Sequence, residues 1–177
     1  LTPSIEEIKS NTFTGLAKTL GSFAKLNGLE NKITVRNDVD SITISLADNL
    51  LFNSGSADLK PGAQDVLTQV AGALAGLPND LKIEGHTDNV PVNGSDFATN
   101  WELSGARASR VLRFLEAAGP LEPTRISFAA YAETRPVADN SPADGRALNR
   151  RADIVIVYPP TEDLQRILYA AGTKPTP

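Results

Sequence analysis

Apolar residues recur with a helical period near the start of the chain. Between residues 4 and 28 they are mostly three or four positions apart, at Ile5, Ile8, Leu16, Leu20 and Phe23. This spacing predicts an amphipathic helix. Ser4 with Glu7 is a capping-box signal for its first turn, and Gly28 is a typical stop. The pattern fits a helix that packs on the main domain, and it fits a linker or dimerising arm equally well.

A period of two follows directly. The apolar residues Ile33 and Val35, and then Ile42, Ile44 and Leu46, alternate with polar ones on either side of the turn sequence NDVD. Alternation of this kind is typical of half-buried strands, and a polar turn between two such runs predicts an antiparallel β-hairpin.

Helices and strands alternate through the rest of the chain. A helix is predicted from Pro61, with Val66, Leu67, Val70 and Leu74 on one face. We then expect a strand at LKIEGHT, a helix at 100–118, a strand at RISFAAYA, a loop at 134–147, a strand at RADIVIVY and a short helix at TEDLQRILYAAG. This order predicts an α/β or α+β fold with crossover connections.

The helix at 100–118 carries the first candidate site. Thr99 with Glu102 is a capping box that fixes its start beside the preceding loop. Asn100, Leu103 and Arg107 share one face, while a different face with Ala108, Val111 and Leu115 suits the core. The first face is therefore expected to look toward the strand end that delivers Thr87 and Asp88.

An acid and a guanidinium placed in this way allow two interpretations. Asp88 and Arg107 can form a structural ion pair. Alternatively, the carboxylate binds an ammonium while the guanidinium grips a carboxylate through two hydrogen bonds, which makes a receptor for a zwitterionic amino-acid head group.

A second basic stretch precedes the last strand. It contains Arg146, Asn149, Arg150 and Arg151. Since side chains alternate across a strand, Arg150 and Arg151 should point to opposite faces, and Arg150 is the one that we expect to reach a ligand. A solvated charge cluster is the alternative.

Composition narrows the function mainly by exclusion. Hydrophobic content of 41% and charged content of 21% are those of a globular protein, and a net charge of −4 argues against general binding of nucleic acid or anionic lipid. With no cysteine and one histidine, neither a thiolate metal site nor a two-histidine site fits one chain, and we expect no metal and no cofactor. No apolar run approaches the roughly 20 residues of a membrane helix. The absence of methionine suggests a processed or partial chain.

Four motifs in order resemble a known family. LFNSGSADLKPGAQDVL, EGHTDNVPV, FATNWELSGARASRVLRFL and GRALNRRADIVIV together resemble the OmpA-like peptidoglycan-binding domain, and most closely its version in the MotB family of flagellar stator proteins. The long loop NVPVNGSDFATN and the stretch SGSADL favour that version. Ala132 departs from the family pattern, which usually has Gly there.

The resemblance implies a fold and a division of the chain. The fold is an α/β (α+β) sandwich, a mixed sheet with helices packed on one side, preceded by an N-terminal amphipathic helix. Residues 1–30 would be a helical linker or plug-side region, residues 31–160 the OmpA-like domain, and residues 161–177 a tail with a short helix.

The resemblance also implies non-catalytic binding of the meso-diaminopimelate in the peptidoglycan stem peptide. In the family, the Asp of the Thr-Asp motif and the Arg of the Leu-Ser-x-x-Arg motif hold this head group, and these are Asp88 and Arg107 here. The other ligand-binding residues expected by the same carry-over are Thr87, Asn100, Leu103, Asn149 and Arg150, with Phe52 or Asn53 at the rim.

Partners and location follow from the same resemblance. The expected partners are peptidoglycan, a second copy of the chain and a membrane stator subunit, and not nucleic acid. The expected location is the periplasm, with the full-length protein anchored in the inner membrane by an N-terminal transmembrane helix absent from this chain.

Two other functions stay open. The domain can be the general wall anchor of an OmpA-type porin or of a peptidoglycan-associated lipoprotein, which the segment upstream of residue 1 would distinguish from a stator. A cell-wall hydrolase that uses His86 is the remote alternative, because no nucleophile-elbow or phosphate-loop motif is present. A histidine that ends a strand beside an aspartate is more often a hydrogen-bonded structural residue.

Overall fold

The computed structural model describes residues 4–94, 96–119, 121–160, 162, 163 and 166. Within these residues the elements are α1 (Ile5–Leu26), β1 (Ile33–Asn37), β2 (Ser41–Ala47), α2 (Asp48–Leu51), α3 (Pro61–Leu74), β3 (Asp80–His86), α4 (Asn100–Ala118), β4 (Ile126–Ala130), α5 (Ala143–Asn149) and β5 (Arg151–Val157). A 3₁₀ turn at Pro123–Arg125 leads into β4.

The strands form one mixed sheet in the order β1-β2-β5-β3-β4. The predicted hairpin is confirmed, since β1 and β2 pair antiparallel with Ile33 opposite Leu46. β5 lies antiparallel between β2 and β3, and β3 and β4 are parallel neighbours joined through α4. The α/β class with a crossover connection is therefore confirmed.

The core lies between the sheet and helices α1, α3 and α4. Alternate residues of the central strands, such as Ile44, Ile83 and Ile154, are fully buried, and Val70 and Leu115 meet them from the helices. The capping boxes predicted at Ser4 and Thr99 are both formed. None of the described helices combines the length and the apolar character needed to cross a membrane.

Helix α1 is packed on the domain. It contacts β1 and α3, and it contributes Leu16, Leu20 and Ala24 to the common core. The Tyr158 hydroxyl at the end of β5 reaches the carbonyl of Lys9 at 3.4 Å. The packing interpretation therefore accounts for the amphipathic stripe, while a dimerising role and the division of the chain at residues 30 and 160 remain predictions.

One predicted element needs correction, one helix was missed, and one predicted helix cannot be judged. The predicted loop 134–147 is wrong in part, because it runs into α5. This short helix folds back on the turn just before it, since Gly145 lies so close to the carbonyl of Asp139, six residues earlier, that a Cβ would be 1.8 Å from that oxygen. Helix α2 was not predicted at all. The helix predicted at TEDLQRILYAAG falls largely outside the described residues.

The strand directions bring three chain segments to one edge of the sheet. The C-terminal ends of β2 and β3 both pair with the N-terminal end of β5, where Ala47 and His86 are each opposite Arg151. Asp48, the Thr87-Asp88 pair and Arg150 each lie one or two residues beyond this point. The topology alone therefore places two acids and a base side by side.

Close packing of α4 on β3 predicts a steric effect of Gly85→Ala. A Cβ on Gly85 would lie 2.1 Å from the Ser104 carbonyl oxygen, a backbone atom of α4. Because the helix would have to move, we expect the free energy of unfolding to fall by about 3 kcal/mol or more, measured by urea denaturation. Gly72→Ala on the exposed face of α3 is the matched control: a Cβ there meets nothing within 4 Å, and its better helix propensity predicts a gain of up to about 1 kcal/mol. Similar losses in both variants would contradict this account.

Candidate functional site

A cavity of about 560 Å³ opens at the edge where β2, β3 and β5 meet. Seven of the nine predicted site residues line it: Phe52, Thr87, Asp88, Asn100, Leu103, Arg107 and Arg150. Asp48 and Arg146 also line it, together with the loop at 90–93. The volume lies within the usual range for small-molecule sites.

Arg107 is fixed by three hydrogen bonds and by a contact with an aromatic ring. Its Nε donates to the Ser56 carbonyl at 2.8 Å, its Nη2 donates to the Asn53 carbonyl at 3.1 Å, and its Nη1 donates to the Asp48 carboxylate. The guanidinium lies over the Phe52 ring, 4.9 Å from its centroid. With the side chain only 6% exposed, the orientation of the guanidinium is fixed before any ligand arrives.

Burial disfavours the charged forms of both Asp48 and Arg107. Burial raises the pKa of the Asp48 carboxyl above its ordinary value, although Arg107 and Arg150 act to lower it. Burial likewise lowers the pKa of the Arg107 guanidinium against the attraction of Asp48. Each ion therefore depends on its partner to remain charged inside the protein.

Asp88 has a different partner. Its Oδ2 accepts a hydrogen bond from Nη1 of Arg150 at 2.6 Å, and its Oδ1 accepts one from the backbone N–H of Val90 at 3.0 Å. The simple ion pair between Asp88 and Arg107 is therefore not what forms among the described residues. Instead, two pairs, Asp48 with Arg107 and Asp88 with Arg150, make a four-charge cluster.

The backbone around Asp88 is fixed by its neighbours. The Asn100 amide donates to the carbonyls of Asp88 and Val90 at 3.4 and 3.0 Å. The backbone N–H of Thr87 donates to the carbonyl of Ala132 at 2.9 Å. Ala132 has φ 49°, a left-handed conformation that costs a non-glycine residue about 1–2 kcal/mol, which explains why glycine suits this position.

Two predicted site residues lie outside the lining of the cavity. Asn53 contributes its carbonyl to Arg107 but is not part of the wall. Asn149 is fully buried, and its amide holds the preceding loop through the N–H groups of Val137 and Ala138 at 2.7 and 2.9 Å. Its place in the structure is that of a support for α5 and the start of β5.

Sequence reasoning missed Asp48. It directly follows β2, and the only signal was an acid placed at a strand end as Asp88 is. Its importance depends on β5 lying between β2 and β3, an order that the sequence pattern did not give. Arg146 belongs to the basic stretch identified in the sequence. It lies in the cavity wall because α5, which carries it, directly precedes the start of β5.

His86 lies on the sheet face opposite the helices, in a separate charged network. Its Nε2 is 3.5 Å from carboxylate oxygens of both Glu84 and Asp153, which are also paired with Lys82 and Arg151. Among the described residues neither ring nitrogen makes a hydrogen bond, which corrects the expected hydrogen-bonded histidine, and the ring stacks on that of Tyr131 with 5.3 Å between the centroids. The side-chain atoms of Glu84, His86 and Asp153 that could bind a metal ion lie within 4.8 Å of one another. However, Lys82 and Arg151 already pair with the two carboxylates. We interpret the group as an ion-pair network.

The chain matches the OmpA family over residues 51–150. This chain belongs to the OmpA family. The match runs from the last residue of α2 to just past the end of α5, and so includes every charged residue of the cavity except Asp48, which precedes it by three positions.

Relatives and solved structures agree with this OmpA-family assignment. YtxE of Bacillus subtilis, an uncharacterised protein, is 36% identical over 80% of this chain and 58% of its own length. Motility protein B of the same organism is 32% identical over 76% of this chain and 52% of its own length. The chain therefore spans about half the length of these curated relatives. The cell wall anchor of the T6SS from Pseudomonas aeruginosa superposes with a TM-score of 0.73 and 32% identity, over 81% of this chain and 97% of that one.

The resemblance drawn from the four motifs is confirmed at the level of family and fold. The mixed sheet with its helices and the N-terminal helix match the OmpA-like fold of these structures. The roles of individual residues in binding remain predictions.

Burial of the Asp48 and Arg107 pair predicts a large effect of Arg107→Ala on folding. The substitution leaves the Asp48 carboxylate buried without its partner, so the free energy of unfolding should fall by about 3–5 kcal/mol at pH 7, measured by urea denaturation. Without Arg107 the pKa of Asp48 rises further. The defect should therefore shrink as the pH is lowered, because Asp48 then takes up a proton and is buried neutral.

Arg110→Ala is the matched control for this test. Arg110 lies one turn further along α4, its side chain is 47% exposed, and it pairs with the exposed Asp58, so less than about 1 kcal/mol should be lost. Equal losses in the two variants, or a defect of Arg107→Ala that does not change with pH, would contradict the account.

The network around Glu84 predicts a second pH dependence. Burial acts to raise the pKa of this carboxyl, but its contacts with His86 and Lys82 outweigh burial and hold the pKa below its ordinary value of 4.5. Ionised Glu84 therefore stabilises the fold fully above about pH 4.5, and this contribution is lost as the pH falls through the lowered pKa. Glu84→Gln should be less stable than the wild type at pH 7 and should approach it below pH 4.5 in urea denaturation. A stability difference that stays constant over this range would contradict the prediction.

Proposed function

We propose that this domain binds the meso-diaminopimelate of the peptidoglycan stem peptide, without catalysis, and that it anchors a flagellar motor stator to the cell wall. The observation that carries the proposal is the cavity that holds an acid, Asp88, and a fixed guanidinium, Arg107, in a chain of the OmpA family. The similarity to Motility protein B supports the stator role.

Arg107 is suited to the carboxylate of the head group. Three of its five N–H groups are used in the contacts made with described residues, which leaves one on each terminal nitrogen for a ligand. A guanidinium that is already oriented loses little conformational entropy on binding, and a carboxylate accepts two parallel hydrogen bonds from it. Arg107 therefore selects an anion of planar shape.

Asp88 is suited to the ammonium of the same head group. Its two oxygens accept one hydrogen bond each from the described residues, and a carboxylate has about four acceptor positions. Arg150 therefore need not leave when the ligand binds. Arg150 offsets the charge of Asp88 in the free domain, and the ligand's ammonium can then donate to the remaining acceptor positions of the carboxylate.

The remaining parts of the proposal concern the whole protein. We place the domain in the periplasm, in a protein held in the inner membrane by an N-terminal helix outside this chain, with a second copy and a membrane stator subunit as partners. A wall-binding role makes no use of catalysis, and His86 lies outside the cavity lining.

A general wall anchor is the second candidate function. The solved cell wall anchor of the T6SS covers 81% of this chain at a TM-score of 0.73, so the fold serves machines other than a flagellar motor. Both candidates use the same cavity. The sequence upstream of residue 1 separates them, because a stator needs a membrane helix with a proton-carrying acid, whereas a lipoprotein needs a lipidated cysteine.

Asp88→Asn is the first test of the binding site. The substitution keeps the shape of the side chain but removes the charge that holds the ammonium. We expect affinity for the tripeptide L-Ala-γ-D-Glu-meso-diaminopimelate to fall about tenfold to a hundredfold, measured by isothermal titration calorimetry. The same tripeptide with lysine in the third position keeps the side-chain ammonium but lacks the carboxylate of the side-chain head group. Asp88→Asn should therefore weaken the binding of both peptides. Arg107→Lys should weaken the binding of the diaminopimelate peptide only.

Asp65→Asn, an exposed acid on α3, is the control for the change of one charge, and circular dichroism checks that each variant is folded. The wild type should also sediment with purified peptidoglycan sacculi, and folded Asp88→Asn should remain largely in the supernatant. Unchanged affinity and sedimentation in Asp88→Asn would remove this residue from the site.

A further inference from the structure

A second cavity adjoins the first. It has a volume of about 530 Å³ and lies between α4, the segment at 54–58 and residues 93, 94, 96 and 97. Ser54, Gly55 and Asn93 line both cavities. The two cavities therefore adjoin along these shared residues, and together they are called the groove.

Helix α4 supplies a basic residue to each part of the groove. Arg107 faces the first cavity, and Arg110 and Arg113 line the second. Successive residues of a helix are about 100° apart, so positions 110 and 113 lie about 60° and 120° around the axis from position 107. Arg107 also bonds to the carbonyls of Asn53 and Ser56, so the residue that would hold the head group also holds the wall shared by the cavities.

The charges of the second cavity leave one arginine without an ion pair. Four charged residues line it: Asp58, Asp96, Arg110 and Arg113. Arg110 is paired with Asp58 at 3.3 Å, a contact with both side chains largely in solvent and therefore weak. Among the described residues Arg113 makes no salt bridge. Its guanidinium is the group in this cavity that is available to an anion.

We propose that the second cavity is a subsite for another carboxylate of the same stem peptide, bound by Arg113 with help from Arg110. The inference rests on the proposed function, which places the diaminopimelate head group in the first cavity. From position 107 to position 113 the helix rises about 9 Å, the length of about three extended peptide residues. A second carboxylate within that reach of the head group can be met by Arg113.

The stem peptide has two carboxylates of this kind. One is the α-carboxylate of the γ-linked D-glutamate that precedes diaminopimelate, and the other is the C-terminal carboxylate of the D-alanine that follows it. Both have the chemistry that a guanidinium binds with two hydrogen bonds. Amidation removes the charge from either one without changing its size, so synthetic peptides can distinguish them.

The test measures affinities of the full chain for the tetrapeptide L-Ala-γ-D-Glu-meso-diaminopimelate-D-Ala and for two singly amidated forms of it. In the wild type, amidation of one of the two carboxylates should weaken binding about tenfold, the loss of a charged hydrogen bond. In Arg113→Gln most of this difference should be lost, because only Arg110 then distinguishes the acid from the amide. Which amide loses affinity identifies the carboxylate.

Arg110→Gln should reduce the difference without removing it. Arg36→Gln, on the far strand β1 where Arg36 pairs with Asp38, removes the same charge outside the groove and should keep the full difference. Equal wild-type affinities for all three peptides, or a difference that is undiminished in Arg113→Gln, would overturn the subsite and leave the head-group site standing. Failure of the wild type to bind any of the peptides would overturn both proposals.

Discussion

The buried guanidinium of Arg107 is the interaction on which the rest of the site depends. It joins α4 to the end of β2 through Asp48 and to the following segment through the carbonyls of Asn53 and Ser56. A buried charge in this position is costly unless an opposite charge and hydrogen-bond acceptors compensate it. The surrounding chain therefore adopts the arrangement that satisfies it, and the cavity obtains a rigid wall.

Four charges at this sheet edge balance one another before any ligand binds. Asp48 neutralises Arg107 and Arg150 neutralises Asp88, so the free domain has no uncompensated charge in the cluster. A zwitterion adds one positive and one negative group and so preserves the balance. A simple anion or cation would not, and this balance within the two pairs supports the proposed binding of an amino-acid head group.

The two faces of the sheet have separate tasks. The helix-facing side is apolar and provides the stability, whereas the opposite side carries the network of Lys82, Glu84, His86, Arg151 and Asp153. The strands that carry this network continue directly into Asp88 and Arg150. The site therefore begins where the pairing of β3 with β5 ends. The ion-pair network lies on the opposite face of the sheet, close to the same ends of these two strands.

Local patterns in the sequence predict most of the helices and strands and the family. Periodicity placed the hairpin, the long helices and β5, because burial of one face leaves a repeating apolar pattern, and the capping residues Ser4 and Thr99 marked where helices begin. The four motifs identified the OmpA-like domain, and helical spacing put Asn100, Leu103 and Arg107 on the correct face. Local patterns record local geometry.

The ion-pair partners of the cavity, in contrast, follow from the three-dimensional fold. Asp48 and Arg107 are 59 positions apart, and no periodicity within either element indicates their contact. That contact exists because β5, the last strand, inserts between β2 and β3 and brings both strand ends to one edge. Helix α5 was missed for a different reason, since its seven residues are too few to show a helical period. Ion-pair partners are set by the three-dimensional neighbours of a residue, which a one-dimensional pattern does not contain.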